Sequence, residues 1–61
     1  MLVLSRLVTE EIIIGTGPDK IVISVLRISD EAGRIGIKAP RDVPVNSKEI
    51  FQKIYPDEKF D

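Results

Sequence analysis

The stretch GRIGIKAPRDVPVNSKEI (Gly33–Ile50) decides the fold of this chain. Ile35 and Ile37 alternate with polar or small residues, and this period of two predicts a strand over residues 34–38. Pro40 ends that strand, because proline has no N–H for a ladder and disfavours helix at the residue before it. A second alternation follows at residues 42–45. It predicts a short strand at a sheet edge, where a proline is tolerated.

A helix is predicted directly after this stretch. Asn46 offers a side-chain oxygen to the free N–H groups of the first turn, and Glu49, three residues on, would complete a capping box. The helix is expected to run from about residue 47 to residue 55, with Pro56 as its stop. Its apolar face would consist of Ile50, Phe51 and Ile54.

Three more strands are predicted upstream. Residues 1–7 alternate, with Leu2, Leu4 and Arg6 on one face. Residues 12–14 are three isoleucines, which favour a buried strand, and residues 21–28 have the strongest β-branched pattern. Turns are expected at the polar or glycine-rich segments 9–11, 15–19 and 29–33. The predicted fold is therefore mainly β, with five short antiparallel strands and one C-terminal helix.

The size of the chain predicts that it needs a partner. A chain of 61 residues forms one domain of marginal stability, and disulfides, a metal or a second chain are the usual remedies. Cysteine and histidine are both absent, so disulfides and the usual metal ligands are excluded. A strand over residues 1–7 would also be an open edge. We therefore expect an interleaved homodimer in which two chains exchange strands.

The charge pattern is modest. Nine basic residues face ten acidic ones, and without residues 56–61 eight basic and seven acidic residues remain. Residues 56–61 are thus expected to be an acidic, solvated tail on a domain that spans residues 1–55. No segment is long and apolar enough for a signal peptide or a membrane span, so we expect a cytoplasmic protein without a membrane partner.

Patterns that would suggest catalysis are weak here. Gly15-Thr16-Gly17 lacks the third glycine and the helix of a phosphate-binding loop, so a hairpin turn is favoured. The acidic pairs at residues 10–11 and 30–31 are better explained as solvated turns than as acid–base or metal sites. The serines have no histidine to activate them. We predict no enzyme, no cofactor, no metal and no small-molecule substrate.

Three segments of the chain resemble the carbon storage regulator family (CsrA/RsmA), bacterial repressors that bind messenger RNA. They are Arg34–Pro40, Met1–Arg6 and Glu49–Ile54, and they follow one another in the order of that family. The resemblance implies an interleaved homodimer in which the first strand of each protomer pairs with the fourth strand of the other. The predicted dimer interface includes Leu2, Val3, Leu4, Ile35 and Ile37.

The resemblance also implies a function. Family members bind GGA motifs in hairpin loops of messenger RNA near ribosome-binding sites, and so repress translation or alter mRNA stability. Small RNAs with GGA loops can act as antagonists. By resemblance, Arg6 would contact RNA, Leu4 would lie beside the bases, and the main chain at Ala39-Pro40 would read the GGA trinucleotide. The complete predicted RNA-binding set is Leu4, Arg6, Lys38, Ala39, Pro40, Arg41, Val45, Ser47 and Lys48.

The chain departs from the family pattern at a few positions. Asn46 and Ser47 stand where the family has a histidine and its strongest RNA-contacting arginine, and a serine hydroxyl cannot replace a bidentate cation. Leu7 stands where many members have a second basic residue. Arg41 is a candidate substitute for the missing cation. A second interpretation therefore stays open: a divergent member that acts through protein–protein interaction, in mixed dimers or with a protein antagonist.

Overall fold

A computed structural model describes residues 1–60 of the chain. It contains three β-strands and one α-helix, and a single turn of 3-10 helix, Gly17–Asp19, lies between the first two strands. The strands form one antiparallel sheet in the order β1-β2-β3. The mainly β class and the C-terminal helix are confirmed. The elements are β1 (Glu11–Ile14), β2 (Ile21–Ser29), β3 (Ala32–Lys38) and α1 (Lys48–Ile54).

Both predicted turns within the sheet are present. Gly15 and Gly17 have φ of 81° and 71°, values that favour glycine, in the connection between β1 and β2. The β2–β3 turn is tighter than predicted, because only Asp30 and Glu31 separate the paired residues of the two strands. Asp30 has φ of 52°, a conformation that aspartate tolerates better than most residues. The third strand consequently begins at Ala32, two residues before the predicted start.

A β-bulge in β2 controls which side chains share a face. The pairing steps from Val25–Ile35 directly to Arg27–Arg34, which leaves Leu26 as the extra residue. Strict alternation from Val25 would place Arg27 among the isoleucines. The extra residue instead turns Arg27 to the face that carries Arg34. The bulge therefore keeps a charged side chain off the apolar side of the sheet.

One face of the sheet is entirely aliphatic, and we call it the aliphatic face. Its residues follow from the cross-strand register, in which Ile12 lies opposite Ile23 and Ile23 opposite Ile37. No residue of the described chain is buried, and Ile35 on this face is 58% exposed. The single chain therefore leaves its core side open. The aliphatic face consists of Ile12, Ile14, Ile21, Ile23, Val25, Ile28, Ile35 and Ile37.

Two of the five predicted strands, those over residues 1–7 and 42–45, are not formed within residues 1–60 of the single chain. Residues 1–7 make no ladder, because a strand requires a partner and the chain offers them none. Residues 42–45 follow a tight turn in which the Val43 N–H donates to the Pro40 carbonyl at 3.0 Å. Pro44 has no N–H to continue a ladder there.

The predicted helix cap was one residue too early. Ser47, and not Asn46, is the N-cap, with extended backbone at φ −63° and ψ 158°. Its hydroxyl accepts a hydrogen bond from the Ile50 N–H at 3.4 Å. The residue three positions after this cap is Ile50, which has no side-chain acceptor, so the predicted capping box with Glu49 does not form. The predicted stop is close, since α1 ends at Ile54.

The single chain is far more open than a compact monomer of its size. Its accessible surface is 5879 Å², whereas a folded monomer of 6.8 kDa is expected to expose about 4,000 Å². Its radius of gyration is 13.5 Å, against about 10.5 Å expected for a compact domain. Among the described elements, α1 packs against none of the strands. Neither helical element in residues 1–60 has the length and apolar character that crossing a membrane requires.

Candidate nucleic-acid interface

The loop after β3 carries the largest group of predicted RNA-binding residues. Lys38 pairs with Val22 at the end of the sheet, so the strand itself fixes where the loop begins. Ala39 and Pro40 are half-buried, while Arg41 is exposed in the turn that Val43 closes. The loop is therefore braced by proline and by a main-chain hydrogen bond. Such rigidity favours the reading of base edges by backbone groups.

A cleft joins this loop to the β1–β2 connection. Pro18 and Lys20 line it from one side, and Lys38 with the Ala39-Pro40 pair lines it from the other. The Lys20 ammonium donates to the carbonyl of Gly17 at 3.3 Å and stays exposed. The turn over residues 15–20 consequently places an additional cation beside the predicted GGA-reading loop. Lys20 was not among the predicted RNA-binding residues.

Arg6 is held by a carboxylate. Its guanidinium lies 3.3 Å from Glu10, and the two side chains are 37% and 39% exposed. The other oxygen of Glu10 accepts a hydrogen bond from the Leu7 N–H at 2.7 Å. Glu10 was predicted to be a solvated turn residue. Its spacing of four residues from Arg6 was the signal that could have revealed this contact.

The neighbouring acidic residue is part of the sheet. Glu11 was predicted to lie in a turn, but it opens β1 and accepts a hydrogen bond from the Ser24 hydroxyl at 2.9 Å. Ser24 lies directly opposite it in the register. The carboxylate therefore has a structural partner on the face of the sheet opposite the aliphatic face.

The start of α1 presents little free positive charge. The Ser47 hydroxyl is used as the helix cap, as described above. The Lys48 ammonium lies 5.0 Å from the centre of the Phe60 ring, in cation–π geometry. Phe60 packs edge-on against Phe51 at 5.5 Å, and Phe51 contacts Tyr55 at 4.9 Å. The tail, described to Phe60, is thus attached to the helix by one aromatic side chain, and Asp61 lies outside the described residues.

One chain does not bring all the predicted RNA-binding residues together. Thr9 and Glu10 pair with Val25, so the N-terminal segment with Leu4 and Arg6 approaches the sheet from the β1 side. The loop with Lys38 leaves the sheet from β3, which is the opposite edge. Val45 is exposed between this loop and α1. The predicted set is thus divided between two edges, separated by β2.

Comparison with known proteins identifies the family. The family model described as "Global regulator protein family", CsrA, matches residues 1–55. The chain belongs to the CsrA family. The resemblance found in the sequence is therefore confirmed, and the match includes every residue of the predicted RNA-binding set.

Curated relatives support this membership. The chain is 44% identical over 54 residues to a protein named "Translational regulator CsrA" of Thermotoga petrophila, a match that covers 88% of this chain and 61% of the relative. The same figures hold for the protein of that name from Thermotoga sp. strain RQ2. The identically named protein of Lachnoclostridium phytofermentans is 42% identical over 59 residues, which cover 97% of this chain and 78% of the relative. The chain thus spans about three fifths of the two Thermotoga relatives. No solved structure matches this chain at a comparable significance.

Proposed function

We propose that this CsrA-family chain is an RNA-binding translational regulator that recognises GGA motifs in hairpin loops near ribosome-binding sites. Binding there would repress translation or alter mRNA stability, and small RNAs with GGA loops would compete for the same site. The observation that carries the proposal is the family match over residues 1–55, since it contains the whole candidate interface. Action on messenger RNA further implies a cytoplasmic location.

The proposed active form is an interleaved homodimer. A compact dimer of twice 6.8 kDa is expected to expose about 3,300 Å² per chain, roughly 2,600 Å² less than the isolated chain exposes. Burial of that size is typical of obligate dimers. The aliphatic face supplies the apolar surface, together with Leu2, Val3 and Leu4 of the unpaired N-terminal segment.

Strand exchange also supports the proposed RNA site. The outer edge of β3 has no partner in the described chain, and residues 1–6 have free main-chain groups. Pairing residues 1–6 of one protomer with β3 of the other would bring Arg6 next to the partner's Lys38-to-Arg41 loop. The dimer would then carry two equivalent sites. Two sites gain avidity when two GGA motifs lie on one transcript.

The decisive experiment is a calorimetric titration with a short GGA-loop hairpin at stated salt, beside a hairpin whose loop lacks GGA. We expect selective binding that weakens about fivefold to a hundredfold in Arg6→Ala, because a guanidinium contact to RNA contributes about 1–3 kcal/mol. Lys53→Ala, an exposed cation outside the predicted set, is the matched control. Binding that is indifferent to Arg6→Ala would contradict the assigned role of Arg6.

A second function is favoured by one observation: the start of α1 is occupied by its own contacts. The Ser47 hydroxyl caps the helix and the Lys48 ammonium lies over the Phe60 ring, so both side chains already have partners within the chain. We propose as the alternative a divergent member that forms mixed dimers with a relative or binds a protein antagonist. A pull-down from nuclease-free lysate separates the two functions. Recovery of RNA supports the first, and recovery of protein without RNA supports the second.

A further inference from the structure

Two arginines lie directly opposite each other at the far end of the sheet. Arg27 of β2 pairs with Arg34 of β3 in the antiparallel register. Like charges in directly opposed cross-strand positions are destabilising. Within residues 1–60 the Arg6–Glu10 contact is the only ion pair, so neither arginine has a carboxylate partner there. The sheet therefore contains a repulsion that the described chain does not compensate.

The β-bulge creates this arrangement. Because Leu26 is the extra residue, Arg27 faces the same side as Arg34 and lies away from the aliphatic face. The two arginines line a shallow depression whose other lining residues are small: Ser29, Ala32 and Gly33. Small side chains at this position leave room for a ligand between the guanidinium groups. The depression lies at the hairpin end, on the side of the sheet opposite the aliphatic face.

We propose that Arg27 and Arg34 form a clamp for a backbone phosphate of bound RNA. This inference rests on the proposed function and extends its site to two residues, Arg27 and Arg34, outside the predicted RNA-binding set. Guanidinium groups present paired donors that match phosphate oxygens, and a phosphate between them removes their mutual repulsion. The ligand is thus a phosphodiester, and base identity plays no part at this position.

The geometry connects this clamp to the GGA-reading loop. Arg34 and Lys38 lie on one face of β3, four residues apart, which corresponds to roughly 13 Å at about 3.3 Å per residue. An RNA whose bases are read at Ala39-Pro40 can therefore extend its backbone along β3 toward the hairpin end. The clamp would hold the nucleotides that flank the GGA motif, such as one strand of the hairpin stem.

The test compares Arg27→Gln, Arg34→Gln and the double variant with the unmodified protein. A GGA hairpin with a long stem and a minimal GGA oligonucleotide are titrated at several salt concentrations. For the long-stem hairpin we expect the double variant to lose several-fold to tenfold affinity and the slope of log K against log salt to fall by about 1, as for one phosphate contact. The minimal oligonucleotide should be bound almost unchanged. Lys53→Gln is the matched control.

A second measurement shows that the variants are folded. Removing one of two opposed charges should leave the thermal midpoint unchanged or higher, and inorganic phosphate should raise the midpoint of the unmodified protein more than that of the double variant. If the unmodified protein binds the long-stem hairpin and the double variant binds it with equal affinity and slope, the clamp is wrong and the proposed function stands. If the unmodified protein binds neither RNA, the proposed function itself fails, and the clamp with it.

Discussion

We expect Arg6 to leave its present partner, Glu10, when it binds RNA. The ion pair with Glu10 is partly exposed and contributes about 0–1 kcal/mol, so RNA can displace it. We predict that Glu10→Gln raises affinity for the GGA hairpin by about twofold to fivefold, because Arg6 is released and one negative charge is lost. The glutamine amide oxygen can still accept the Leu7 N–H. Calorimetric titration at low and high salt measures the effect.

Glu58→Gln is the matched control for this prediction, since it removes one carboxylate from the tail and leaves Arg6 paired. A gain of equal size in both variants would mean that net charge, and not release of Arg6, controls affinity. Unchanged affinity in Glu10→Gln would show that the ion pair persists in the complex or that Arg6 makes no contact with RNA.

Replacement of Ser47 is predicted to change RNA affinity and helix stability in opposite directions. Ser47→Arg introduces the cation that the resemblance implies at this position, so we expect affinity for the GGA hairpin to rise about fivefold to a hundredfold. The same variant loses the Ser47 cap and should be less stable by about 0.5–2 kcal/mol. Titration and thermal unfolding of one sample measure both effects. Ser47→Ala, which removes the cap without adding charge, should lose stability and gain no affinity.

At the scale of elements, α1 depends on contacts beyond its own length. Seven residues are too few for a stable isolated helix, so side-chain packing must support it. Phe60 supplies such packing through the Phe51 ring and the Lys48 ammonium. We predict that Phe60→Ala lowers the thermal midpoint by about 4–8 °C, which corresponds to a loss of roughly 1 kcal/mol.

Phe60→Tyr should keep the midpoint, since it retains the aromatic ring, and Lys59→Ala should have no effect because its side chain is exposed. Circular dichroism would follow the helix during the same experiment. A midpoint in Phe60→Ala equal to that of Lys59→Ala would mean that the tail does not support α1.

Elements that depend on the residues of their own segment were predictable from the sequence. Features that depend on backbone geometry or on pairing with another strand were not. β2 was found because its β-branched residues are continuous, and the end of α1 because Pro56 follows it. The helix cap was misplaced by one residue, since Asn46 and Ser47 are both good caps and backbone geometry decides between them. The bulge at Leu26 could not be predicted, because the alternation of side chains along β2 does not show which residue lacks a cross-strand partner. The candidate site was proposed from the resemblance alone. The spacing of Glu10 from Arg6 was a signal that the sequence offered, whereas the place of Lys20 beside the loop depends on how the turn over residues 15–20 folds.

At the scale of the whole molecule, the exposed aliphatic face predicts how the protein unfolds. Because none of residues 1–60 is buried in the single chain, it has little stability of its own, so folding and association should be one process. We predict a mass of about 13.6 kDa in solution, twice the chain mass. The thermal midpoint should rise with protein concentration. Light scattering after gel filtration and unfolding at several concentrations measure these two properties.

Removal of residues 1–6 tests whether the dimer forms by strand exchange. The truncated chain keeps the aliphatic face but loses the segment proposed to pair with the partner's β3. We expect it to be monomeric and largely unfolded, because the remaining sheet cannot cover its open edge and its open face together. Removal of residues 57–61 is the matched control. It removes Phe60 and should therefore lower the thermal midpoint, but it should leave the dimer intact. A truncated chain that still dimerises with unchanged affinity would show that the aliphatic faces alone hold the two protomers together.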